Sequence, residues 1–69
     1  MTEARLGSRL KEVRQAAGLT QAELAEKAGV SRKTINTVEN GVFTPSTILA
    51  LSLARALDVK VEDLFWLAD

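Results

Sequence analysis

Residues 19–44 read L-T-Q-A-E-L-A-E-K-A-G-V-S-R-K-T-I-N-T-V-E-N-G-V-F-T. The stretch spells two short helices joined by a tight turn. Thr20 stands as an N-cap with Glu23 three residues later, the spacing of a capping box in which each side chain satisfies the other residue's backbone N–H. Leu24, Ala25 and Ala28 form the inner face of this helix. Gly29 then breaks the pattern, because a left-handed turn costs glycine nothing sterically. Val30 tucks inward and Ser31 caps a second helix. That helix turns Ile35 and Val38 inward at i, i+3 spacing and ends at the stop signal Asn40-Gly41.

The second helix leaves Arg32, Lys33, Asn36 and Thr37 on its outward arc. Basic and amide side chains on one narrow helical face can reach base edges, Arg or Lys to guanine and Asn to adenine. A helix entering the major groove presents its first turns in this way. Taken alone, Arg32 and Lys33 also read as ordinary solvated charges. Two capped helices around a glycine turn favour the DNA reading.

At this point the residues resemble a known family. T-Q-A-E-L-A-E-K-A-G-V-S-R-K-T-I-N-T-V-E-N-G is similar to the helix-turn-helix of the phage repressor and Cro proteins and their bacterial relatives, the XRE family. R-L-K-E-V-R-Q-A-A-G-L-T-Q resembles the family's first helix, and T-P-S-T-I-L-A-L-S-L-A-R-A-L-D-V-K-V-E-D-L-F its fourth and fifth. Together these stretches cover nearly all of residues 5–65. The resemblance implies an all-α, five-helix repressor-like domain. It also implies that Arg14 pairs with Glu39 as a structural ion pair, and that Gln21 binds a DNA phosphate while bracing the recognition helix. Backbone N–H groups and small polar side chains from Asn40 to Thr44 would grip a second phosphate. Read without the family, Arg14 is a surface or phosphate-binding cation at the edge of a buried stripe, and Gln21 is a solvated helix former.

Length and composition agree but decide less. The 69 residues allow one domain with a small core and contain no cysteine, so no disulfide or thiolate–metal staple is expected. Below about 80 residues a single core rarely supplies much stability, and oligomerisation is one remedy. No apolar run approaches the ~20 residues of a membrane span. No signal peptide is recognisable, and the expected location is the prokaryotic cytoplasm, at the nucleoid. The net charge is zero, although a DNA-binding domain is usually basic overall. The charges are unevenly spread. Residues 1–40 carry seven basic and five acidic side chains, and residues 41–69 carry two basic and four acidic.

Along the chain, Thr2 is a candidate cap for a first helix running to about Ala17. Leu6, Leu10, Val13 and Ala17 would be its buried stripe. Thr44 and Pro45 fit the N-cap and first turn of a fourth helix, about residues 46–57. Phe43 either lies exposed against a sugar or the DNA backbone or is a satellite core residue, and burial is the favoured reading. In the fourth helix Leu49, Ala50, Leu53, Ala54 and Leu57 share one arc, and Ile48 and Leu51 fall on the opposite one. Such exposed aliphatics suggest a second contact surface. Val61 to Phe65 reads as a short fifth helix, with Phe65 in the core. Trp66 and Leu67 remain without a place and join Ile48 and Leu51 as a dimer interface within residues 46–67.

Enzymatic readings find no support. The chain has no histidine, cysteine or tyrosine. Its serines have capping or surface roles, and no phosphate-binding glycine loop or metal-ligand spacing occurs. No catalytic residue, cofactor or metal is expected, and no small-molecule effector can be inferred from these residues. The sequence points to one domain over residues 1–69 that binds double-stranded operator DNA as a homodimer, with its helix-turn-helix at about 20–40. Base readout goes to Arg32, Lys33, Asn36 and Thr37. Phosphate contacts go to Gln21, Ser31, Asn40 and Thr44. The competing reading is an antitoxin-like or adaptor module whose Ile48/Leu51/Trp66 surface binds another protein.

Overall fold

A computed structural model describes residues 5–68. The elements run in the order β1 (Leu6–Ser8), α1 (Leu10–Ala16), α2 (Gln21–Ala28), α3 (Arg32–Glu39) and α4 (Thr47–Leu57). A 3₁₀ turn (Val61–Asp63) and β2 (Phe65–Leu67) complete the chain. Leu10, Leu24, Ile35, Leu53 and Leu64 are fully buried. Each comes from a different segment, so a single core ties α1, α2, α3, α4 and the C-terminal segment together. Ala25, Val38, Leu49, Ala54 and Phe65 complete it.

The middle of the chain follows its local signals. Thr20 Oγ1 accepts from Glu23 N at 3.0 Å while Glu23 Oε1 accepts from Thr20 N at 2.9 Å, closing the capping box of α2. Gly29 ends the helix at φ 74°, and Val30 N donates back to Ala25 O at 3.0 Å. Ser31 Oγ accepts from Thr34 N at 3.1 Å and starts α3.

Both ends depart from the sequence reading. Thr2 lies outside the described residues, and the first helix begins only at Leu10. Leu6 belongs to β1, which pairs antiparallel with β2 in the register Leu6↔Leu67, Gly7↔Trp66 and Ser8↔Phe65. Leu6 at 41 % exposure and the exposed Ala17 are therefore not core, whereas Leu10 is. Two contacts set the start of α1. Ser8 Oγ accepts from Leu10 N at 3.3 Å, and Arg9 N donates to Leu64 O at 2.9 Å. The fifth helix shrinks to a single 3₁₀ turn, because the chain straightens at Phe65 to join the sheet. Four α-helices and a two-stranded sheet thus replace five helices.

Gly7 explains where Trp66 goes. A Cβ at Gly7 would overlap the Trp66 indole, so only glycine opposite Trp66 lets the ring lie over the strand. Arg9 covers the ring, its Cζ 4.8 Å from the centroid, a cation–π distance. Trp66 thereby has a partner within its own chain. Successive strand residues point to opposite faces, so Leu6, Ser8, Phe65 and Leu67 share the face away from the indole. At the other junction, Ser46 rather than Thr44 caps α4, its Oγ accepting from Leu49 N at 3.1 Å. Pro45 precedes the helix instead of opening it.

Candidate nucleic-acid interface

α3 is held in place by charge and amide chemistry beneath it. Arg14 on α1 donates from Nε to Glu39 Oε2 at 2.6 Å and from Nη2 to Glu39 Oε1 at 3.2 Å. Its Nη1 donates to Leu19 O at 2.8 Å. The two side chains retain 9 % and 2 % exposure, so both charges are withdrawn from water. The hydrogen bond that Arg14 donates to Glu39 raises the guanidinium above its already high pKa, outweighing the opposite push of burial. One charged fork therefore joins α1, the α1–α2 turn and the last turn of α3.

The network continues outward. Gln21 Nε2, at the start of α2, donates to Glu39 Oε1 at 3.0 Å and to Asn36 Oδ1 at 3.2 Å. Asn40 Nδ2 donates to the same Asn36 oxygen at 3.1 Å. Arg14, Glu39, Gln21, Asn36 and Asn40 thus form a continuous path from the interior to the exposed face of α3. No buried side-chain nitrogen or oxygen lacks a partner among the described residues.

Of the residues assigned to base readout, Arg32, Lys33 and Asn36 are exposed on α3 and Thr37 is half-buried. Lys33 and Thr37 line one hollow with Thr34, Val42 and Phe43. Arg32 stands apart from them, bordering a depression with Thr20, Gln21 and Ala22 at the start of α2. The Thr37 hydroxyl donates back to Thr34 O at 3.0 Å, leaving its oxygen to accept. Of the phosphate candidates, Gln21 spends its amide nitrogen on α3 and Ser31 spends its oxygen on the α3 cap. Asn40 braces Asn36, and Thr44 is exposed beside the apolar groove described below. Thr34 escaped the sequence reading, although its hydroxyl lies 2.9 Å from Ser31 Oγ. The i, i+3 spacing of Ser31 and Thr34 was the signal for it.

Phe43 is 47 % exposed and not buried as expected. Val42 N and Phe43 N both donate to Thr37 O, at 2.9 and 3.2 Å. This folds the loop against the end of α3 and leaves both apolar side chains outside.

A second surface lies on α4. Ile48 and Leu51 are 79 % and 55 % exposed. Leu51 borders an apolar groove with Leu6, Pro45, Ala50, Val61 and Phe65. Leu67, paired with Leu6 in the sheet, is also exposed.

Comparison with known proteins places the chain. A family model described as helix-turn-helix matches residues 10–64. The HTH-type transcriptional regulator YgzD of Bacillus subtilis is 40 % identical over 62 residues, covering 90 % of this chain and 94 % of that protein. The crystal structure of the restriction-modification controller protein C.AhdI from Aeromonas hydrophila superposes with a TM-score of 0.78 at 40 % identity, covering 80 % of this chain and 83 % of that one. The N-terminal DNA-binding domain of the biofilm regulator SinR from Bacillus subtilis matches with a TM-score of 0.69 at 34 % identity, over 78 % of this chain and 80 % of that one.

Proposed function

The chain belongs to the helix-turn-helix family of DNA-binding transcriptional regulators, and from that premise we propose that it acts as a homodimeric repressor at a pseudopalindromic operator. The observation that carries this is the exposed arc of Arg32, Lys33 and Asn36 on a helix immobilised from behind by the Arg14–Glu39 pair. A reading element held this rigidly loses little freedom on binding. In the dimer each α3 enters one major groove, with half-sites about 34 Å apart, one helical turn. The first backbone N–H groups of α2 hold phosphate, with Arg32 beside them at the edge of the reading face. Such a regulator works at the nucleoid, where its DNA is. Among the described residues no helix is long and apolar enough to cross a membrane.

Two-fold pairing goes to Ile48, Leu51, Leu67 and the groove rim at Leu6. Trp66, already covered by Arg9, contributes little. Burying one large apolar side chain is worth roughly 1.5–3 kcal/mol, and an isologous interface buries each residue twice. That sum is comparable with the 4–15 kcal/mol or so that association costs.

Electrophoretic mobility shift with random genomic fragments at low salt, followed by selection from a random duplex pool, tests the proposal. A selected palindrome, a steep salt dependence and a loss of about 1–3 kcal/mol in Lys33→Ala are expected. Sedimentation should show dimer for the wild type and folded monomer for Leu51→Glu. Zero net charge and the bare Ile48–Leu51 surface favour one competing reading, an adaptor that binds protein. The absence of any shift at low salt would select it.

A further inference from the structure

The hydrogen-bond path from Arg14 determines which atoms Asn36 shows to the outside. Glu39, a carboxylate clasped by a guanidinium, can only accept. The Gln21 atom 3.0 Å from Glu39 Oε1 is therefore its amide nitrogen. The same nitrogen lies 3.2 Å from Asn36, so the Asn36 atom it meets has to be the carbonyl oxygen. The Asn40 atom 3.1 Å from that oxygen has to be a nitrogen. Each assignment forces the next, starting from a buried charge whose polarity is not in doubt. Both lone pairs of Asn36 Oδ1 are then occupied, while none of the described residues accepts from its Nδ2.

This contradicts the usual pairing of asparagine with adenine. That pairing is bidentate: the side-chain carbonyl accepts from adenine N6 while the amide nitrogen donates to N7. Here the carbonyl is turned back into the protein and only N–H faces outward. Arg32 and Lys33, the other exposed polar side chains of the first turns, also offer donors alone. Guanine presents two adjacent acceptors in the major groove, O6 and N7, whereas adenine places an N6 donor beside its N7. We infer that Asn36 is a donor-only reader that selects guanine and rejects adenine, its polarity set from the interior by Glu39 through Gln21. The inference rests on α3 being the DNA-reading helix.

The test is selection from a random duplex pool with the wild type, Asn36→Ala and Asn36→Asp. Asn36 is exposed, and circular dichroism checks that both variants fold. The operator position that loses its preference in Asn36→Ala is the one that Asn36 faces. That position should hold guanine for the wild type. Replacing the guanine with 7-deazaguanine should weaken the wild type about two- to ten-fold, the worth of one hydrogen bond, and leave Asn36→Ala unaffected. Asn36→Asp keeps the acceptor for Gln21 and Asn40 but shows an acceptor outward, so its preference should move to cytosine, whose N4 donates. Adenine, thymine or cytosine at that position overturns the inference and leaves the DNA-reading role intact. So does an Asn36→Ala variant whose selected sequence matches the wild type at every position. A wild type that enriches no sequence overturns both.

Discussion

Removing the carboxylate of Glu39 should be among the most damaging single changes available to this fold. Glu39 accepts three hydrogen bonds, two from Arg14 and one from Gln21, in a site where the two charged side chains keep only 9 % and 2 % of their exposure. Glu39→Ala strands the Arg14 guanidinium with one remaining partner, Leu19 O. Breaking a buried ion pair from one side costs about 3–5 kcal/mol. A chain of this length is expected to have a total stability of roughly 3–10 kcal/mol, so the variant would sit near the edge of folding. Glu39→Gln keeps an oxygen for Arg14 while losing the charge, and should fall between the two. The double change Arg14→Met/Glu39→Leu removes both charges at similar volume and should recover much of the loss. Urea unfolding followed by circular dichroism at low temperature measures all four proteins. A Glu39→Ala variant within about 1 kcal/mol of wild type would refute the buried pair as the tie between α1 and α3, because water would then have to reach Arg14.

Three further outcomes are expected. The Thr20 backbone N–H holds the Glu23 carboxyl below its ordinary pKa, so its contribution is present above the ordinary carboxylate range and fades as pH falls through the lowered value. Unfolding of Glu23→Gln across that acid window should be less pH-dependent than wild type, and Thr20→Ala should cost about 1 kcal/mol at neutral pH; parallel pH profiles would count against the capping box. Gly7→Ala should push the Trp66 indole off the strand and away from Arg9, lowering the melting temperature and shifting tryptophan emission to the red, whereas an unchanged spectrum would mean that the ring does not lie on Gly7. Phe43→Ser, at an exposed loop position, should alter stability by less than about 1 kcal/mol, and a larger loss would return Phe43 to the core.

What could be read in advance follows how locally each feature is encoded. The α2–α3 unit was legible because Thr20 and Glu23, Gly29 and Ser31 act on their own helix ends within four residues. The outer arc of α4 was legible because eleven helical residues leave Ile48 and Leu51 no other side. The sheet was not legible. Leu6 and Leu10 keep helical spacing, and nothing near Gly7 announces a tryptophan 59 positions away. Thr44 and Ser46 are equally good caps on either side of Pro45, and only packing chooses Ser46. The pairing of Arg14 with Glu39 came from family resemblance, since 25 positions separate the two. The orientation of the Asn36 amide could not come from sequence at all, because it depends on a path through three helices.

The short sheet has a consequence for the chain as a whole. Ala68 N donates to Arg5 O at 2.8 Å, so the two ends of the described chain lie side by side and the backbone runs in a nearly closed circuit. In such a circuit the order in which the residues are strung matters less than the neighbours they keep. A permuted gene that joins Ala68 to Arg5 through a few glycines and opens instead in the exposed loop at Val42–Thr44 should fold to the same core. It would present α3 just before its new terminus, where added residues could be brought directly to the edge of the bound DNA.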